Sequence, residues 1–222
     1  MALAAVRSAT ARRKSKADAS GAPTLQSLKS GQTRMRLVEA TIRCIVKNGY
    51  SNTTTPQIAN EAGLSRGAML HHFENGAALI KAAIIELHEK RLRAFRRAAD
   101  TGHGDPTTLV RTYWQQIQKP AFIAFHELAL AARTHADLAR MLNPLQVEFR
   151  ERYMATAFSL FPEWAHHRKQ FDLAMALSQN LLEGLAINVQ TGATDPEMVE
   201  PMLELLENQI RAMNPALAKA SS

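Results

Sequence analysis

The chain predicts an all-α protein, with an N-terminal three-helix head built on a helix-turn-helix and a larger C-terminal helical domain. Three observations carry that expectation. Ala, Leu, Arg, Glu and Gln are frequent, and no alternating Val/Ile/Thr-rich run calls for a strand. Apolar residues recur at helical spacing through most of the chain, between breaks marked by proline and glycine. Residues 54–73, TTPQIANEAGLSRGAMLHHF, read as two short capped helices around a tight turn. With 222 residues the chain can bury a core without disulfide staples.

The first 30 residues are rich in Ala, Ser and basic side chains, with Asp18 the only acid. That composition suits an organellar transit peptide or a disordered basic arm. It lacks the apolar centre of a secretion signal. A first helix is expected over Thr33–Lys47, with Leu37, Val38, Thr41, Cys44 and Ile45 on its apolar face. Cys44 is the only cysteine, which excludes an internal disulfide and suits a reducing compartment; its position marks it as a small core residue.

The next two helices are the informative ones. Thr54 with Gln57 three residues on can form a capping box, and Pro56 falls in the first turn, where its missing N–H costs nothing. Ile58, Ala59 and Ala62 make one face, and small Ala59 lets another helix cross closely. Gly63 sits where the chain must turn with positive φ, Leu64 plugs the turn, and Ser65 can cap the following helix. Met69 and Phe73, four apart, point back at the first helix of the pair, leaving Arg66, Gly67, Ala68, Leu70, His71 and His72 outward.

Two helices so joined are the arrangement by which proteins lay one helix in the DNA major groove. Arg66 can reach a phosphate or a guanine edge, Gly67 admits close backbone approach, Ala68 and Leu70 can touch thymine methyls, and His71 and His72 can donate to phosphates. With Thr54, Thr55, Gln57 and Ser65, these are the candidate DNA-binding residues. Charge agrees: residues 1–100 hold 17 Lys+Arg and 7 Asp+Glu, a net +10, whereas residues 101–222 hold 10 and 13, a net −3.

The run Gly49–Phe73, GYSNTTTPQIANEAGLSRGAMLHHF, resembles the DNA-binding domain of TetR-type transcriptional regulators. The matching positions are Gly49, Tyr50, Thr53, Thr54, Ile58, Ala59, Ala62, Gly63, Leu64, Ser65, Gly67, His72 and Phe73. The match covers about the N-terminal third; beyond it only length and helical character agree. Two departures stand out. Leu70 and His71 occupy places where the family usually has tyrosines, one of them a phosphate contact. Gly76 stands where it usually has a lysine. The bacterial character of the pattern favours the arm reading of residues 1–30. The expected division is therefore a disordered basic arm (1–30), a DNA-binding head (31–93) and a helical ligand-binding and dimerisation domain (94–222).

A fourth helix is expected from Asn75 or Ala77 to about Ala99, ended by TGHGDP at residues 101–106. By the resemblance it is the lever between ligand state and head. Further helices are expected over Thr107–Gln118, Ala121–Arg133, Ala136–Leu160, Trp164–Gln190 and Pro196–Met213, with Asn143-Pro144 a kink or break in the third of these. The last two carry apolar stripes, Leu173, Leu177, Leu181 and Leu185, then Met198, Met202, Leu205 and Ile210, suited to a four-helix interface with a second copy. Aromatic and polar residues within the apolar helices, Trp114, Phe122, Phe125, His126, Phe171 and Gln179, are candidate ligand contacts.

Enzyme signals are weak. His126-Glu127-Leu128-Ala129-Leu130 lacks the second histidine of a zinc-protease helix, and the adjacent pairs His71-His72 and His166-His167 splay apart on a helix. No metal, cofactor or membrane span is expected. The expectation is a cytoplasmic, homodimeric repressor that leaves a near-palindromic double-stranded DNA operator when a small-molecule inducer binds. The alternatives are a constitutive or architectural DNA-binding protein, and an all-α ligand carrier or enzyme.

Overall fold

The computed structural model describes residues 24–102 and 105–214, and these form helices without strands. Helix α1 (Leu25–Asn48) is followed by the short α2 (Thr55–Glu61) and α3 (Arg66–Leu70), then the long α4 (Gly76–Gly102). The remainder comprises α5 (Pro106–Ile117), α6 (Pro120–Ala131), α7 (Ala136–Leu160), α8 (Arg168–Gln190) and α9 (Val199–Met213).

Several features differ from expectation; the expected Pro196–Met213 helix begins as a 3-10 turn at Pro196–Met198, capped by the Asp195 side chain, and continues as α9. Helix α1 starts about two turns ahead of Thr33, because the Thr24 hydroxyl caps it, accepting from the Ser27 N–H at 3.1 Å. Residues 25–30, expected in the arm, are therefore helical; the rest of the arm lies outside the described residues. Asn143-Pro144 does not break α7. Pro144 and Arg140, whose carbonyl loses its N–H partner, both lie on the exposed side, where solvent can satisfy the freed oxygen. The expected Trp164–Gln190 helix is instead a 3-10 turn at Pro162–Trp164 followed by α8. His167, at φ −127° and ψ 41°, leaves the helical region, which lets Trp164 turn into the core.

Packing runs through three apolar clusters. The first joins the head (Leu37, Ile45, Ile58, Ala59, Met69, Phe73, Leu79, Ile84) to Phe125 and Leu128 of α6 and Leu138 and Leu142 of α7. Cys44 sits in it, 5% exposed, and burial pushes its thiol up, away from the reactive thiolate. The second lies between α4, α7 and α8 around Phe95, Tyr153 and Phe171, and the third between α5, α8 and α9. Helix α4 packs on α1 at its start and on α5 and α7 further along, so it is one rigid rod shared by head and body. The expected division near residue 93 falls inside this rod.

Candidate nucleic-acid interface and ligand cavity

The helix-turn-helix is fixed from within by short-range chemistry. The Gln57 side-chain oxygen accepts from the Thr54 N–H at 2.9 Å and from its hydroxyl at 3.0 Å, closing the start of α2. Gly63 takes φ +64°, the left-handed conformation that glycine adopts without a Cβ penalty. The Ser65 hydroxyl accepts from the Ala68 N–H at 3.1 Å and caps α3. Met69 is fully buried and Phe73 is 2% exposed, so α3 is nailed down along its inner side.

A helix as short as α3 has little stability of its own, and α1 supplies the rest through arginines that sequence reasoning passed over. Arg34 donates to the His72 carbonyl at 2.7 Å, with its guanidinium 4.0 Å above the Phe73 ring. Arg36 donates to the Ala62 carbonyl at 2.6 Å, neutralising the C-terminal end of α2 just before the glycine turn. Arg43 pairs with Glu61 at 2.6 Å.

The outer edge carries the candidate DNA contacts. Thr54, Gln57, Ser65, Arg66, Gly67, Leu70 and His71 are exposed, while Thr55, Ala68 and His72 are half-buried. Leu70 presents 47% of its surface, unusual for an apolar side chain on an otherwise polar edge. Nothing in the head requires glycine at 67, since a Cβ there would meet only the Ser65 hydroxyl at 3.9 Å. Gly76, by contrast, has a local reason: a Cβ would approach the Thr55 methyl to 3.0 Å.

The comparisons with known proteins bear on this head first. A family profile described as bacterial regulatory proteins, tetR family, matches residues 37–83. The head therefore matches the DNA-binding domain of the tetR family over those residues. The HTH-type transcriptional regulator TtgR of Pseudomonas putida is 36% identical over 103 residues, 46% of each chain. The HTH-type transcriptional repressor AcnR of Corynebacterium diphtheriae is 21% identical over 206 residues, 87% of this chain and all of that one. The chain thus matches about half the length of TtgR, and longer matches come at lower identity. Among solved structures, Salmonella enterica GusR superposes with a TM-score of 0.61 at 22% identity, covering 82% of this chain and 95% of that one. The multidrug binding protein EbrR, complexed with imidazole, superposes at 0.56 and 22%, covering 80% and 94%. These two likenesses show the all-α fold. The family is one of transcriptional regulators, not enzymes.

In the body, a cavity of about 80 Å³ opens between α4, α5, α7, α8 and α9. Of the six candidate ligand residues, Phe171 and Gln179 line it. The other four do not. Trp114 and Phe122 pack in the α5–α8–α9 cluster, and Phe125 belongs to the cluster shared with the head. His126 turns its Nε2 to Glu183 at 3.4 Å. Apolar sequence context could not separate a cavity wall from a packed core. The lining residues it missed include Phe95, Tyr113, Tyr153, Phe161 and Trp164.

Behind this wall lies a charged cluster joining four helices. Arg91 of α4 donates to Glu183 of α8 at 2.5 Å, the Tyr113 hydroxyl of α5 donates to the same oxygen at 2.8 Å, and His126 of α6 faces the other. Burial pushes the Glu183 carboxyl up, but the bonds from His126, Arg91 and Tyr113 outweigh it and hold the carboxyl below its ordinary value. The Arg91 guanidinium also lies 4.7 Å from the Phe125 ring and 5.0 Å from that of Phe149. A second link between head and body is Glu127, whose carboxylate accepts from the Tyr50 N–H at 2.8 Å.

The stripes on α8 and α9 divide. Leu185 is buried in the protein's own core, and Leu177, Leu181, Met202 and Ile210 are half-covered, whereas Leu173, Met198 and Leu205 are 62%, 49% and 56% exposed. Among the described residues no helix is long and apolar enough to cross a membrane.

Proposed function

We propose that this chain is a cytoplasmic, ligand-responsive repressor that binds a near-palindromic DNA operator as a homodimer. The observation that carries the reading is the division of α3: its inner side is locked by Met69 and Phe73 while Arg66, Gly67, Leu70 and His71 face outward. In this reading Arg66 and the outward side chains of α3 meet base edges, and Thr54, Thr55, Gln57, Ser65, His71 and His72 set register on the phosphates. Gln57 serves mainly through the Thr54 cap, because its oxygen is already engaged. Ala68 and Leu70 offer apolar contact to thymine methyls. The glycine at 67, unneeded by the head itself, leaves room for the DNA backbone.

The exposed Leu173 of α8, Met198 of the turn before α9 and Leu205 of α9 support pairing of two copies, which spaces two recognition helices for successive major grooves. The aromatic cavity supports a small-molecule inducer, and EbrR, of the same fold, is described as a multidrug binding protein. Helix α4, common to head and cavity, is the element whose position both DNA and ligand would bias. The domain division at 31–93 and 94–222 is kept as a functional one, head and body, joined by that helix.

The test is selection of binding sites from a random duplex pool by the full chain, followed by salt titration of the enriched site. The reading expects two half-sites about one helical turn apart and affinity that falls steeply with salt. Enrichment of no sequence, with salt-dependent binding retained, would point to an architectural protein instead. Absence of DNA binding would remove the regulator reading.

A further inference from the structure

We infer that the cavity takes a small, flat, uncharged aromatic molecule, and that a net charge of either sign on the ring's substituent excludes it. The inference rests on the ligand-responsive reading above and specifies its ligand. Three features of the wall carry it.

The first is the supply of rings. Phe95, Tyr113, Tyr153, Phe161, Trp164 and Phe171 face the cavity from different elements, α4, α5, α7, the 3-10 turn and α8. Phe95 and Tyr153 pack closely, with centroids 4.6 Å apart, but two other pairs are open. The Trp164 and Phe171 rings meet at 62° with centroids 5.8 Å apart, and Phe95 and Phe161 at 64° and 6.3 Å. Edge-to-face pairs at the long end of the contact range leave ring faces available, and an inserted ring can stack against them.

The second feature is that the Tyr113, Tyr153 and Ser178 hydroxyls of the wall are already hydrogen-bonded. The Tyr113 hydroxyl donates to Glu183, the Ser178 hydroxyl donates to the Ala174 carbonyl at 2.7 Å, and the Tyr153 hydroxyl is bonded to the Gln179 side chain. Glu183 itself stands behind Tyr113, neutralised by Arg91. The only charged side chain on the lining is Glu163, half-exposed at the rim. An anion inside would lose its water and find no counter-charge, and a cation would meet only the half-exposed Glu163, whose carboxylate is screened by solvent. Hydroxyl lone pairs on Ser178 and Tyr153 remain as acceptors, enough to orient a ligand with one donor group.

The third feature is size. At about 80 Å³ the cavity is smaller than the roughly 150 Å³ engineered apolar cavity that admits benzene. One ring enters only as the flexible Met175 side chain in the wall moves aside. A rigid three-ring system does not.

The experiment uses the full chain at pH 7 and three matched probes: fluorobenzene, 4-fluorobenzoate and 4-fluorobenzylammonium. Binding is read by fluorine NMR line broadening and by thermal shift. Fluorobenzene is expected to bind at least tenfold more tightly than either ion and to raise the melting temperature. Substituting Met175→Trp, or Ala174→Phe if the first variant misfolds, should fill the cavity and abolish the fluorobenzene signal. Equal or tighter binding of either ion overturns the inference, as does failure of all three probes or binding that survives a folded, cavity-filled variant. DNA binding of the same samples is measured in parallel. Loss of salt-dependent DNA binding by the unliganded wild type would sink the regulator reading, whereas the probe results alone decide the ligand class.

Discussion

Replacing Glu183 by alanine tests how head and body are coupled. The carboxylate is the common acceptor for Arg91, Tyr113 and His126, and the Arg91–Glu183 pair is largely covered, with side chains 14% and 19% exposed. Two unit charges about 4 Å apart attract by about 4 kcal/mol in a setting of this kind. Removing one partner leaves Arg91 charged and enclosed between Phe125 and Phe149, with its Nε already lacking an acceptor. Breaking a buried pair in this way costs about 3–5 kcal/mol. For a chain of this length that lowers the melting temperature by roughly 10 °C. The double variant Arg91→Met with Glu183→Leu removes both charges and fills the same space, so it should recover most of the loss. Urea unfolding of the wild type, both singles and the double closes the thermodynamic cycle. If Glu183→Ala costs under about 1 kcal/mol, or the double is no more stable than the single, the four-helix cluster does not hold α4 to the body and the reasoning is wrong.

Three further outcomes are expected. Arg66→Ala should weaken operator binding by about 1–3 kcal/mol with helicity unchanged by circular dichroism, and a relaxed preference at one base pair would distinguish base reading from phosphate contact. Gly76→Lys should strengthen binding to all DNA sequences and steepen the salt slope by about one, because it restores the lysine the family usually has, while the Thr55 methyl shifts slightly to admit its Cβ; an unchanged slope would place residue 76 away from the phosphates. His88 is 4% exposed, and burial lowers its pKa from 6.5 to about 4 despite the bond to Gln146. Between those values the unfolded chain takes up a proton that the folded protein refuses, so stability falls as pH drops from 6.5 to about 4, by about 3 kcal/mol. Urea titrations across that window should show the slope in the wild type and lose most of it in His88→Leu.

What could be read from the sequence was whatever depends on neighbours along the chain. The Thr54–Gln57 cap, the Gly63 turn, the Ser65 cap and the inward Met69 and Phe73 are all i to i+4 relations, and each is present in the fold. Arg66 and His71 are exposed as that pattern required. The cavity was hardly legible. Phe122 and Phe125 looked as suitable as Phe171, but a helix's apolar face gives no sign of whether the opposing helix fills it or leaves a gap. That depends on five helices at once. The stop at His167 was equally hidden, since no glycine or proline marks it and the turn serves to seat Trp164.

The charge count carried a subtler error of emphasis. A net +10 over residues 1–100 says nothing of where the cations are held, and several of the described basic side chains are engaged within the protein, although among their acidic partners only Glu183, paired with Arg91, lies outside that count. Arg36 and Arg34 hold backbone carbonyls at the ends of α2 and α3, Arg43 holds Glu61, Lys90 holds Glu39, and Arg91 holds Glu183. The ion-paired side chains are partly neutralised, whereas Arg34 and Arg36 keep their charge but are fixed in place on neutral carbonyls. They do something the count could not show: they orient a five-residue recognition helix that could not hold itself. It follows that neutralising Arg34 and neutralising Arg66 should look different. Loss of Arg66 removes a contact from a helix that stays in place. Loss of Arg34 releases the His72 carbonyl and the Phe73 ring, so α3 amides should exchange with solvent faster even without DNA, and affinity should fall for every sequence alike. Unchanged α3 exchange in Arg34→Ala would mean that Met69 and Phe73 suffice, and that the arginine serves DNA directly.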